Sequence, residues 1–131
     1  MLSHVTIGVA DLGRAKAFYD RVIATLGIGC VVDEPDHGLV GYAESPTAAP
    51  QFYLIRPIDG QPAGVGNGQT FAFLAQDHAT VDRFHAEGLA AGGRDEGAPG
   101  LRPHYHPNYY GAYLRDLDGH KIACVCHRSE G

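Results

Sequence analysis

The feature that most constrains this chain is that it is written twice. Residues 4–27 (HVTIGVADLGRAKAFYDRVIATLG) align without a gap on residues 70–93 (TFAFLAQDHATVDRFHAEGLAAGG). Val5 falls on Phe71, Ile7 on Phe73, Val9 on Ala75, Asp11 on Asp77, Ala15 on Val81, Phe18 on Phe84, Ile23 on Leu89 and Gly27 on Gly93. Few letters are identical, but apolar meets apolar, helix cap meets helix cap and helix stop meets helix stop. A period of about half the chain implies an internal duplication rather than a solenoid.

Each copy opens on a strand. Val5, Ile7 and Val9 alternate with His4, Thr6 and Gly8, the period-two pattern of a strand between two different environments. The apolar set faces a helix. The other carries an imidazole and a hydroxyl, which suits a pocket wall. Asp11 and Asp77 are placed to cap the helices that follow, accepting from first-turn amides. Ala15, Phe18, Tyr19, Val22 and Leu26 recur at helical spacing in the first copy, and Val81, Phe84, His85 and Leu89 in the second. Gly27 and Gly92-Gly93 supply stops. Gly88, inside the second helix, sacrifices about 1 kcal/mol of helix propensity, which a close helix–sheet approach would explain.

Behind each helix come three strand-like runs. In the first copy these are Ile28–Asp33, Leu39–Ala43 and Gln51–Arg56, with a Pro35-Asp36-His37-Gly38 turn between the first two. In the second they are Glu96–Pro99, Tyr109–Arg115 and His120–His127, with Asp116-Leu117-Asp118-Gly119 as a hairpin turn. The fold class is therefore α+β, two tandem βαβββ modules covering 1–58 and 69–128 within one domain of 131 residues. Residues 59–68 (DGQPAGVGNG) form the linker; no Lys-Ser/Thr follows these glycines, so they are no phosphate loop.

Composition narrows the function classes. The net charge of −5 with no basic run argues against nucleic acid. No apolar stretch reaches the ~20 residues of a membrane span. A strand pattern from residue 2 predicts no leader, hence a cytoplasmic protein. The three cysteines, Cys30, Cys124 and Cys126, make no disulfide framework; the last two share a strand face as small buried hydrophobes.

Among eight histidines, His37 and His120 sit in or beside turns and read as solvated; His78 reads as exposed and His85 as a satisfied core histidine. His104 and His106, between Pro103 and Pro107, share a face if that segment is extended. They could line a pocket, bind a metal with His4, hydrogen-bond an anionic substrate, act as an acid–base pair, or simply stand in water on a proline-rich surface loop. Tyr105, Tyr109 and Tyr110 make the segment aromatic, and Arg102 could pair with a carboxylate, which suits a planar or carboxylated ligand.

The duplicated βαβββ unit, the His-bearing strand leading to Phe18-Tyr19 and the Asp-x-Asp-Gly turn (Asp116, Asp118, Gly119) resemble the vicinal oxygen chelate superfamily, which includes glyoxalases, bleomycin-resistance proteins and extradiol dioxygenases. Leu101–Tyr110 (LRPHYHPNYY) is similar to a glyoxalase-like subgroup of unassigned chemistry. The resemblance implies two curved sheets around a cleft, a homodimer, and a small-molecule ligand. It also implies a divalent metal (Zn, Ni, Fe or Mn) acting as a Lewis acid on the substrate's vicinal oxygens. The implied ligand positions are His4, Thr70 and Ala123. Only His4 carries a usual ligand: Thr70 stands where the family has His or Gln, and Ala123 where the motif ends in Glu. Three protein ligands are the usual minimum. The expected protein thus binds a small molecule around His4, Thr70, Arg102, His104, Tyr105, His106 and Ala123, its standard triad degraded and glyoxalase activity lost. Two alternatives remain: a metal-dependent lyase or dioxygenase with a rebuilt His4/His104/His106 site, and a non-catalytic sequestering protein of the bleomycin-resistance type.

Overall fold

The computed structural model describes residues 1–129. Strands β1 (Val5–Gly8), β2 (Gly29–Glu34), β3 (Leu39–Ala43) and β4 (Phe52–Ile55) form one four-stranded sheet in the order β1-β4-β3-β2. Strands β5 (Phe71–Leu74), β6 (Arg94–Leu101), β7 (Tyr110–Arg115) and β8 (Lys121–Cys126) form a second in the order β5-β8-β7-β6. The two orders are the same, with β1 parallel to β4 and β5 parallel to β8. Helices α1 (Leu12–Ile23) and α2 (His78–Ala90) begin 66 residues apart, as the aligned copies require.

The local signals act as read. Asp11 accepts from the Arg14 amide (3.0 Å) and Asp77 from the Thr80 amide (2.8 Å), so both helices are capped by the aligned aspartates. Helix α1 ends at Ile23 and tightens into a 3-10 turn before Gly27, whose φ of 75° lies in the left-handed region. One apolar core joins the modules: Tyr19 and Phe52 lie 5.1 Å apart, Phe52 and Phe73 5.2 Å, and Phe73 and Phe84 5.8 Å between ring centroids.

Three expectations are corrected. Leu89 is not on the buried stripe; it is 41% exposed, because the stripe runs Val81, Phe84, His85, Gly88 and the next residue falls off it. Strand β6 spans eight residues rather than four, since Arg94 and Leu101 pair with Arg115 and Tyr110 despite irregular register. His120 is not solvated. It is 6% exposed and donates from Nε2 to the Gly8 carbonyl (2.7 Å).

Gly88 sits against β7, where an added Cβ would overlap Leu114 Cδ1. Leu114 is itself fully buried and has nowhere to go. Gly88→Ala should therefore destabilise the fold by about 1 kcal/mol, overpacking outweighing the ~1 kcal/mol of regained helix propensity. Urea unfolding reads the sign; a more stable variant would refute the close approach.

Candidate functional site

The Asp-x-Asp-Gly turn is a clasp between the modules. Asp116, 4% exposed, accepts from the Asp118 amide (3.0 Å) and the His120 amide (2.9 Å) on one oxygen, and from the Tyr19 hydroxyl of α1 on the other. Asp118 accepts from the Ala10 amide (2.8 Å), and His120 reaches Gly8. These bonds hold the end of β1 against the β7–β8 turn and so fix how the two sheets meet.

Strand alternation assigns the faces. On the second sheet Phe71, Phe73, Leu114, Ile122 and Cys124 face the helices. Thr70, Ala72 and Leu74, with Lys121, Ala123 and Val125, and Gly111, Tyr113 and Arg115, share the helix-free face. On the first sheet His4 and Thr6 share that face with Tyr53, whose ring lies 5.4 Å from the His4 ring, edge-on.

The implied ligand positions do not fit a metal ion. Ala123 offers no donor atom and is 0% exposed, with Ala72 and Tyr113 as its cross-strand partners on that face. Thr70 offers a neutral hydroxyl, and His4 turns Nδ1 to the Ser3 hydroxyl at 2.9 Å. The rebuilt triad is not assembled within the chain either. The Leu101–Tyr110 segment is not extended; of its two turns, closed by Tyr105 N to Arg102 O and Tyr109 N to His106 O, the first contains His104 and the second starts at His106. The His104 ring lies 4.3 Å from the Tyr105 ring, tilted by 42°, while His106 Nε2 meets His127 Nδ1 at 2.8 Å. Among the described residues no group of three or more His, Cys, Asp or Glu side chains is arranged to hold a metal.

Thr70 lines two hollows. The larger, about 400 Å³, runs along β5. Val5, Ile28, Phe52, Phe71, Phe73 and Leu74 give it apolar walls, and Glu44, Gln51 and Thr70 bring polar groups to it. The smaller, about 260 Å³, lies between the linker segment Gly66–Thr70 and the cations Arg115 and Lys121. Nothing along the chain signals the first hollow, whose walls read as ordinary core. Lys121 could have been found, because alternation places it on the face of Ala123.

Arg102 donates to the Gly100 and Ala98 carbonyls (2.9 and 2.8 Å), and its guanidinium lies 5.5 Å from the centre of the Tyr113 ring. Lys121 lies 5.3 Å from the same centre. The Tyr113 hydroxyl meets that of Tyr109 at 2.6 Å. Tyr105, exposed, packs on Tyr109. His85 is the satisfied core histidine expected, donating to Asp95 at 2.9 Å.

Phenols are held in their neutral form. Burial, reinforced by the Asp116 charge, pushes Tyr19 well up; burial and the bond to Asp20 raise Tyr42. The bond to Asp82 carries Tyr110 to about 12, and burial with the Tyr109 bond raises Tyr113. A pKa raised in the fold contributes stability that is complete below the unfolded value of about 10 and is lost as pH rises towards the folded values. Stability should therefore fall above pH ~10. The 295 nm phenolate signal of Tyr19, Tyr42, Tyr110 and Tyr113 should grow in a cooperative step that coincides with loss of far-ultraviolet circular dichroism. Smooth ionisation of these four with the fold intact would contradict this.

No curated protein matches the chain. A glyoxalase/bleomycin resistance protein from Albidiferax ferrireducens T118 is 45% identical, with a TM-score of 0.84 over 98% of this chain and 99% of that one. A lactoylglutathione lyase from Agrobacterium tumefaciens is 24% identical, with a TM-score of 0.64 over 96% and 92% of the two chains. A V278E mutant of glyoxalase I from Zea mays is 20% identical, with a TM-score of 0.69 over 98% of this chain and 45% of that one. At those identities the last two demonstrate a shared fold alone. The duplicated βαβββ architecture, the 45% identical structure and a family model that matches residues 1–124 agree: the chain belongs to the Glyoxalase/Bleomycin resistance protein/Dioxygenase superfamily.

Proposed function

We propose that this protein binds a small organic molecule in the apolar groove along β5 and does not carry out the metal-assisted chemistry of its relatives. The observation that carries this reading is Ala123: a buried methyl stands where the last-strand carboxylate is needed. A groove of about 400 Å³ with apolar walls and a few polar groups has the size and character of a small-molecule site. The protein works as a homodimer in the cytoplasm, in keeping with the habit of the family; no helix among the described residues is long and apolar enough to cross a membrane. A sequestering role is the second reading, favoured by the name of the 45% identical relative, a glyoxalase/bleomycin resistance protein.

N-phenyl-1-naphthylamine, an uncharged fluorophore, tests the groove. Saturable binding is expected, weakened about tenfold by Leu74→Glu, which sets a charge against an apolar probe. Leu74 is 63% exposed, so this variant should keep the fold. Metal analysis of the purified protein should find no stoichiometric Zn, Ni, Fe or Mn. A stoichiometric ion that disappears in His4→Ala would overturn the metal-free reading.

A further inference from the structure

The smaller hollow holds an arrangement that a sheet ordinarily avoids. Arg115 and Lys121 are direct cross-strand partners, so two cations stand opposite each other on the helix-free face. Like charges so placed destabilise an antiparallel pair. A single carboxylate offsets them: Glu96 accepts from Arg115 Nε at 2.7 Å. That bond, with the charges of Arg115 and Lys121 behind it, holds Glu96 below the usual range, so the carboxylate is ionised and engaged. Arg115 also donates to the Gly119 carbonyl (3.1 Å), which fixes its position. Among the described residues Lys121 has no salt bridge; it leans on the Tyr113 ring instead. The opposite side of the hollow is the linker segment Gly66–Thr70, which brings no charge of its own. In a chain of net charge −5 this is a local positive excess inside a concavity.

The position of the hollow gives that charge a use. Thr70 lines both the cationic hollow and the apolar groove. We infer that Lys121 and Arg115 form the head-group end of the site, so that the ligand is an organic anion, a carboxylate or its like carried on an apolar body. The inference rests on the groove proposed above. It adds two residues that the family pattern does not assign and narrows the ligand from any small molecule to an amphiphilic anion. Lys121 supplies an ammonium without a salt bridge among the described residues, Arg115 a fixed guanidinium, and Thr70 a hydroxyl donor.

The test pairs two probes with a common body: N-phenyl-1-naphthylamine, uncharged, and 8-anilinonaphthalene-1-sulfonate, which carries an anion on the same ring system. Lys121→Gln should weaken the sulfonate about tenfold, as expected for loss of one charge-assisted contact, and leave the uncharged probe unchanged. Lys121→Arg should retain sulfonate binding, and 0.5 M NaCl should weaken it several-fold while sparing the neutral probe. If the neutral probe binds in the groove and Lys121→Gln leaves the sulfonate unaffected, the head-group inference is wrong and the groove stands. If the sulfonate depends on Lys121 while the neutral probe shows no saturable binding, the anion site stands and the groove does not. If neither probe saturates, both fall.

Discussion

Asp116→Ala is expected to lower the melting temperature by about 10–15 °C, a loss of roughly 3–4 kcal/mol. The carboxylate is buried and accepts three hydrogen bonds, from the Tyr19 hydroxyl and the amides of Asp118 and His120. Hydrogen bonds to a charged group are worth about 1.5–3 kcal/mol each, and removing the acceptor also strands buried donors. The three are not additive, since they share one residue. Tyr19→Phe should cost less, about 1–2 kcal/mol, because the two turn amides still serve the carboxylate. Asp116→Asn should fall between, keeping one oxygen for those amides. Thermal and urea unfolding of the single and double variants give the coupling between α1 and the turn. A loss below about 1 kcal/mol for Asp116→Ala would mean that the clasp does not hold the modules together.

Ala123→Glu writes back the residue that the family motif calls for, and the expected result is damage rather than a metal site. The position is fully buried, with Tyr113 and Ala72 beside it on the same face. A new carboxylate there must either displace Tyr113 or lose its hydration, at a cost of about 3–5 kcal/mol near neutral pH. The pH dependence identifies the cause. Burial raises the carboxyl pKa above its unfolded value of about 4.3, so the fold is least harmed below that value and increasingly harmed as pH rises through the folded one. The gap between variant and parent in urea unfolding should thus be wider at pH 7.5 than at pH 5. A variant as stable as the parent that takes up zinc stoichiometrically would show that the site had lost only its last ligand.

These substitutions lie on opposite sides of what could be read in advance. The Asp-x-Asp-Gly turn was visible as a turn, but not as the joint between the modules, because its partners Tyr19 and Gly8 lie 97 residues before Asp116 and 112 before His120. The same distance explains the error at His120. A histidine beside a turn is usually wet, and nothing local announces a carbonyl from the far end of the chain. Leu89 failed for a different reason: the aligned copy places it on Ile23, but the stripe of α2 turns onto Gly88, whose lack of a side chain lets β7 approach.

Residue type along the chain already carries the duplication, the capped helices, the sheet faces and the absence of usual ligand side chains at Thr70 and Ala123. Each depends on residue type at a short repeat of two or 3.6, and local sterics and burial enforce those repeats wherever the segment ends up. That His4, His104 and His106 form no metal-holding group, that an apolar groove opens along β5, and that Lys121 pairs with Arg115 follow from how the chain packs. A hollow is made by segments distant in sequence failing to fill the space between them, and pattern along the chain carries no record of that space.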